Sequence, residues 1–187
     1  MKTAIVNKNA PILRKTAQAV PLKDIGSKKI QDVLKRMKTA LKREDDGVAI
    51  AAPQINEGLR IFIISGRVPS LLNKNVEEGV NNKVTTSDAV FINPEIIKLS
   101  RKKNKVEEGC LSVRWLYGQV IRSEKAVIRA YDENGKVFER GATGLMAQIF
   151  QHEVDHINGI LFTDKAENIE NLPPPPKKKK KYEKTKN

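Results

Sequence analysis

Both histidines of the chain lie in one stretch, QHEVDHINGILF (151–162), four residues apart with Glu153 between them. This spacing constrains the fold more than any other feature. Residues i and i+4 are neighbours on one face of an α-helix, so His152 and His156 meet at a common point if the stretch is helical. Two imidazoles placed this way can hold a metal ion, and Glu153 beside them can reach a water on that ion. Two histidines are an incomplete ligand set, so the fold must bring a third donor from elsewhere in the chain.

The identity of that donor separates the possible chemistries. One class of metalloproteases extends the motif as H-E-x-x-H-x-x-G-x-x-H. Gly159 fits its glycine, but Phe162 occupies the place of the last histidine. Another class takes a glutamate from a later helix. Downstream there are only Glu167, Glu170 and Glu183, none in a helical frame. The lone cysteine, Cys110, stands upstream in VEEGCLSVR. A thiolate with two imidazoles makes a three-ligand site with one position open to water. Several first-row ions suit such ligands, so the residues alone leave the metal open.

The rest of the chain reads as one α+β unit. Ile30, Val33, Leu34, Met37 and Leu41 form the apolar stripe of an amphipathic helix, with Ser27 as cap and Gly47 just past its end. GLRIFIIS (58–65) predicts a buried strand, and residues 66–88 a long surface loop. AVFIN (89–93) predicts a second strand stopped by Pro94, with EIIKLS continuing as strand beyond it. Asn134-Gly135 between two alternating runs predicts a hairpin. The motif helix begins near Leu145 and ends at Asn158-Gly159. These elements predict small mixed or antiparallel β-sheets packed around a C-terminal helix that carries the motif.

The 187 residues suffice for one domain with a core. The net charge is +13, and residues 173–187 alone, PPPPKKKKKYEKTKN, carry +6 of it. That segment is too polar to fold alone. The expected division is therefore a catalytic domain over 1–168 and a disordered Pro/Lys-rich tail over 169–187. A single cysteine excludes an internal disulfide, and there is neither an apolar leader nor a membrane-spanning run. The expectation is a soluble, cytoplasmic protein, working as a monomer.

Three separated motifs, GVAIAAPQ (47–54), EGCLS (108–112) and QHEVDH (151–156), together resemble the peptide deformylase family. The family removes the formyl group from the N-terminal methionine of newly made proteins. The resemblance implies that Cys110, His152 and His156 bind the metal, Fe²⁺ in the cell with Zn²⁺ or Ni²⁺ able to replace it. It implies Glu153 as general acid and base, with the Gln54 amide and the Leu111 backbone N–H stabilising the oxyanion. It further implies a pocket for the methionine side chain, for which Val48, Val106, Leu145 and Ile149 are the apolar candidates. The backbone of Gly47 and Ala49 should pair with the substrate like an added strand. Asp155 is out of register with the ligand face and is expected to pair with Arg122. Glu108 is a candidate acceptor for a ligand imidazole. The chain departs from the family pattern at Ala49, Arg114 and Gln148, which bears on substrate range and rate. The basic tail suits the RNA phosphate of the ribosome, where formylated nascent chains emerge.

Overall fold

The computed structural model describes residues 3–68 and 87–174. Most of the loop expected at 66–88, and the lysine block of the tail, lie outside these described residues. The expected α+β class is borne out. Strands β1 (Ala49–Ala51), β2 (Ile61–Ile64), β3 (Ala89–Leu99), β6 (Lys125–Tyr131) and β7 (Val137–Thr143) form a five-stranded sheet in the order β1-β2-β3-β6-β7. Strands β4 (Lys103–Gly109), β5 (Leu116–Ser123) and β8 (Glu167–Asn171) form a second sheet in the order β4-β5-β8. Every neighbouring pair is antiparallel.

Two helices, α1 (Lys28–Lys42) and α2 (Gly144–Ile157), cover opposite faces of the larger sheet. All four residues of β2 are therefore buried. Alternation sends Ile61 and Ile63 into the core under α1, and Phe62 and Ile64 into the core under α2. The α1 stripe packs as its spacing predicts, and Ser27 Oγ accepts from the Ile30 N–H at 3.4 Å. A third, smaller cluster of Leu13, Val113, Val120, Leu161 and Phe162 lies beneath the second sheet.

Helix α2 ends as a Schellman motif. Ile160 N–H donates to Asp155 O at 2.9 Å and Gly159 N–H to His156 O at 3.1 Å. Gly159 has φ +77°, and a Cβ there would meet the Arg14 carbonyl carbon at 2.9 Å. The glycine shared with the protease motif thus terminates a helix here. The predicted hairpin joins β6 to β7, with Gly135 at φ +80° in its turn.

Two expectations need correction. Pro94 does not stop the strand: β3 runs through it as one element of eleven residues. Asn93 adopts φ +51°, and the register against β6 shifts between Ile92 and Glu95. A proline needs no ladder donor at such a bulge. The Asn93 side-chain amide pairs with the main chain of Val20, accepting from its N–H and donating to its O, both at 2.8 Å. The other correction concerns the boundary at 168, which falls inside β8. That strand pairs with β5 through Leu116–Asn171 and Tyr117–Glu170. Its sequence, ENIEN, is exposed throughout and has no apolar alternation to announce it.

Phe91 stacks on Phe62 at 4.4 Å and meets Phe138 and Phe150 edge-on at 5.3 and 5.4 Å, so it ties β2, β3, β7 and α2 together. Phe91→Ala should cost about 3–5 kcal/mol of stability. A urea-unfolding midpoint shifted well below wild type is the expected readout.

Candidate metal centre

Helix α2 presents one stripe, Leu145, Gln148, Ile149, His152 and Glu153, to a cleft of about 280 Å³. His156 continues the stripe beneath it, 1% exposed. Helical spacing alone produces this alignment. The opposite walls come from two strand edges. Val48 and Ala49 lie at the start of the edge strand β1, and Glu107, Glu108 and Gly109 on the edge strand β4. Cys110 follows β4 directly, so the end of that strand delivers the sulfur to the helix. Gly109 is required there, since a Cβ would come within 2.7 Å of the Tyr117 ring.

Cys110 Sγ lies 3.1 Å from His156 Nε2, and the ligand atoms of Cys110, His152 and His156 all lie within 4.8 Å of one another. The two imidazoles meet edge-on at 5.0 Å. Phe162, in the place of the absent third histidine, stacks near His152 at 6.4 Å. Burial pushes the Cys110 thiol up, but the imidazoles of His156 and His152 outweigh it and bring the pKa down to about 5. Burial also works against charge on His152, yet its bonds to Cys110 and Glu108 hold its pKa well above the ordinary value. The site thus favours the thiolate, the form in which a cysteine ligates a metal, and a divalent cation would take the place of the imidazole proton beside it.

A buried ion network supports the ligands. Arg122 donates through Nε and Nη2 to Glu108 at 2.7 and 2.9 Å, and through Nη1 to Asp155 at 2.5 Å. Glu108 Oε2 in turn lies 2.9 Å from His152 Nδ1. Burial pushes the Glu108 carboxyl up, but His152 and Arg122 override it and hold it at about 2. Arg122 is raised in the same balance, burial opposing its charge while the two carboxylates favour it. Lys165 closes the network on Asp155 at 2.7 Å.

Glu153 is buried beside the ligands, and its Oε2 has no hydrogen-bond partner among the described residues. Burial raises its pKa, partly offset by the two histidines and reinforced by the charges of Cys110 and Glu108. The Gln54 amide is held at both ends. Its Oε1 accepts from Ala51 N–H at 2.8 Å, and its Nε2 donates to Ser112 Oγ at 3.3 Å and approaches Cys110 Sγ at 3.5 Å. Leu111 lines the cleft next to it.

The structure brings Gly47, Val48, Ala49, Leu145 and Ile149 to this cleft. Val106 is the exception. It shares the face of Glu108, but one alternation step farther from Cys110, where it pairs with Val120. Of the three departures, Gln148 donates to Glu107 O at 2.8 Å, Ala49 pairs with Ile64, and Arg114 forms ion pairs at the mouth. Sequence reasoning missed Ser112, although it lies inside EGCLS, and Gln151, which precedes His152. The buried Gln151 amide accepts from Ser123 N–H and donates to Ser123 O, both at 3.0 Å, fastening α2 to β5. Trp115 and Tyr117 of the cleft wall carry no motif that could have found them.

Comparison with known proteins places this site in a family. The polypeptide deformylase family profile matches residues 2–172. The chain is 36% identical over 168 residues to a peptide deformylase of Desulforudis audaxviator, covering 88% of this chain and 94% of that one. It is 33% identical over 179 residues to chloroplastic peptide deformylase 1A of Solanum lycopersicum, covering 90% of this chain and 62% of that one. The fold matches the actinonin-bound crystal structure of a class I type b peptide deformylase from Acinetobacter baumannii, with a TM-score of 0.74, 31% identity, and coverage of 89% and 99%. The metal-ligand geometry, the cleft and these likenesses together place the chain in the polypeptide deformylase family.

Proposed function

We propose that this protein hydrolyses the N-terminal formyl amide of formylmethionyl nascent chains. The observation that carries the reading is the Glu153 carboxylate, buried beside three convergent metal-ligand atoms with its Oε2 unpartnered among the described residues. Cys110, His152 and His156 would hold one divalent ion, Fe²⁺ in the cell, with Zn²⁺ or Ni²⁺ as substitutes. Such an ion supplies Lewis acidity and lowers the pKa of a water molecule. Glu153 accepts the proton of the attacking water at a carboxylate oxygen and later delivers it to the leaving amine, so formate and a free N-terminus result. Negative charge grows on the formyl oxygen as water adds. The Gln54 amide and the Leu111 N–H are the donors that meet it. The two strand edges that bound the cleft suit an extended peptide, whose backbone pairs with Gly47 and Ala49. Val48, Leu145 and Ile149 supply apolar contact for the methionine side chain.

Among the described residues no helix is long and apolar enough to cross a membrane. We assign the activity to the cytoplasm and to a monomer. The domain that carries it extends through β8, and the Pro/Lys-rich segment beyond it tethers the enzyme to ribosomal RNA.

Formyl-Met-Ala-Ser should be hydrolysed, while its acetylated counterpart and an internally cleavable peptide should not. Glu153→Ala should lower kcat by about 10²–10⁴-fold, and unchanged turnover would remove Glu153 from its role. Deleting residues 173–187 should reduce co-sedimentation with ribosomes at low salt, and equal binding would sink the tether. The Glu108 network sets a pH dependence of stability. Its carboxyl, ordinarily at 4.5, is held at about 2 in the fold. The stabilisation is complete above the unfolded value and disappears as pH falls through the folded one. Wild-type urea midpoints should therefore drop more steeply than those of Glu108→Gln as pH falls from the ordinary carboxylate value toward about 2.

A further inference from the structure

The cleft runs between strand edges of two different sheets, which share no ladder. Both sheets pack on α2, and side chains that cross from one wall to the other add direct ties between the two edges. At the floor, Gln54 Nε2 reaches Ser112 Oγ at 3.3 Å, a neutral contact between buried groups. At the mouth, the crossing group is Arg114. Its guanidinium leaves the loop after Cys110 and pairs with two acids of the turn between α1 and β1. One partner is Glu44, and the other is Asp46, whose Oδ2 accepts from Nη1 at 2.7 Å. The guanidinium carbon also lies 5.1 Å from the Trp115 ring centroid. Asp46, Arg114 and Trp115 all line the cleft.

We infer that Arg114 is a positioning residue, an ionic strut that sets the width of the cleft mouth and so the affinity for an extended peptide. The inference rests on the reading of the cleft as a peptide groove given above. A planar guanidinium can engage two carboxylates in one fixed geometry, which a lysine ammonium does not reproduce. The strut bridges partners 68 and 70 residues away in sequence, on the turn that leads straight into Gly47, Val48 and Ala49. That turn is the wall on which the peptide backbone is to pair. The Leu111 end of the loop is held separately. Val113 N–H donates to Cys110 O at 3.0 Å, and the Gln54–Ser112 contact pins the floor. Loosening Arg114 therefore acts on binding and spares the reacting end. The strut is also partly exposed, with Arg114 at 28%, Glu44 at 31% and Asp46 at 55%. Salt screens such a pair and leaves the buried floor contact untouched.

The test is steady-state kinetics on formyl-Met-Ala-Ser with wild type, Arg114→Gln, Arg114→Lys and Glu44→Gln. Arg114→Gln should raise KM about five-fold while kcat stays within about two-fold, with Arg114→Lys intermediate. Raising salt to about 0.5 M should raise the wild-type KM toward that of Arg114→Gln and leave the variant unchanged. Equal KM values, or a loss confined to kcat, would overturn the strut. If Arg114→Gln does not fold, as judged by its melting curve, the same comparison is made on Glu44→Gln. A wild type that does not hydrolyse the formyl peptide would sink the functional reading instead. The strut is then judged by Trp115, the only tryptophan of the chain. Acrylamide should quench it more strongly in Arg114→Gln than in wild type, and equal quenching would overturn the strut.

Discussion

Arg122 is 5% exposed and is engaged by two carboxylates at once, Glu108 on β4 and Asp155 on α2. A buried guanidinium costs several kcal/mol in lost hydration unless its donors are matched. Here the fork of Nε and Nη2 faces both oxygens of Glu108, and the remaining amine faces Asp155. Removing either acid would leave part of the guanidinium buried without a partner. The network thereby couples β4, β5 and α2 into one arrangement, and Glu108 passes that arrangement on to His152. The strand that ends at Cys110 and the helix that carries both histidines are held in mutual register by the same arginine.

Several other polar side chains do the work of backbone. Gln151 pairs with the main chain of Ser123, and Asn93 pairs with that of Val20 where proline interrupts the ladder. Each is a satisfied amide in a part-buried or buried setting, so each fixes a position without leaving an unpaired group. Gln54 belongs to the same class, with one end tied to Ala51 and the other directed at Ser112 and Cys110. Both ends of this amide are thereby fixed in direction. In contrast, Glu153 Oε2 and His156 Nδ1 are buried without partners among the described residues, and both belong to the centre itself.

Features written in local spacing were legible. The α1 stripe, its serine cap, the Asn134-Gly135 hairpin and the Asn158-Gly159 stop depend on near neighbours in the chain, and the fold has each of them. Features that depend on distant partners were not. Pro94 looks like a stop because a proline lacks a donor, yet a register shift accommodates it and the strand runs on. Strand β8 is polar and exposed, and it exists because β5 offers an edge for it to pair with. Val106 is apolar and near the cysteine motif, but strand direction carries it past the end of the cleft.

By itself, the sequence determined the chemistry on offer. Two imidazoles and a carboxylate lie on one helical face because 3.6 residues make a turn, and a single thiol stands as the remaining candidate donor. Spacing along a chain cannot say how far Cys110 lies from that helix, because 41 residues separate it from His152. Tertiary structure decided that distance, along with the pairing of Arg114 across the cleft and the burial that raises the Glu153 pKa. Each of these depends on how two separate sheets pack about one helix, and only the folded core establishes that packing.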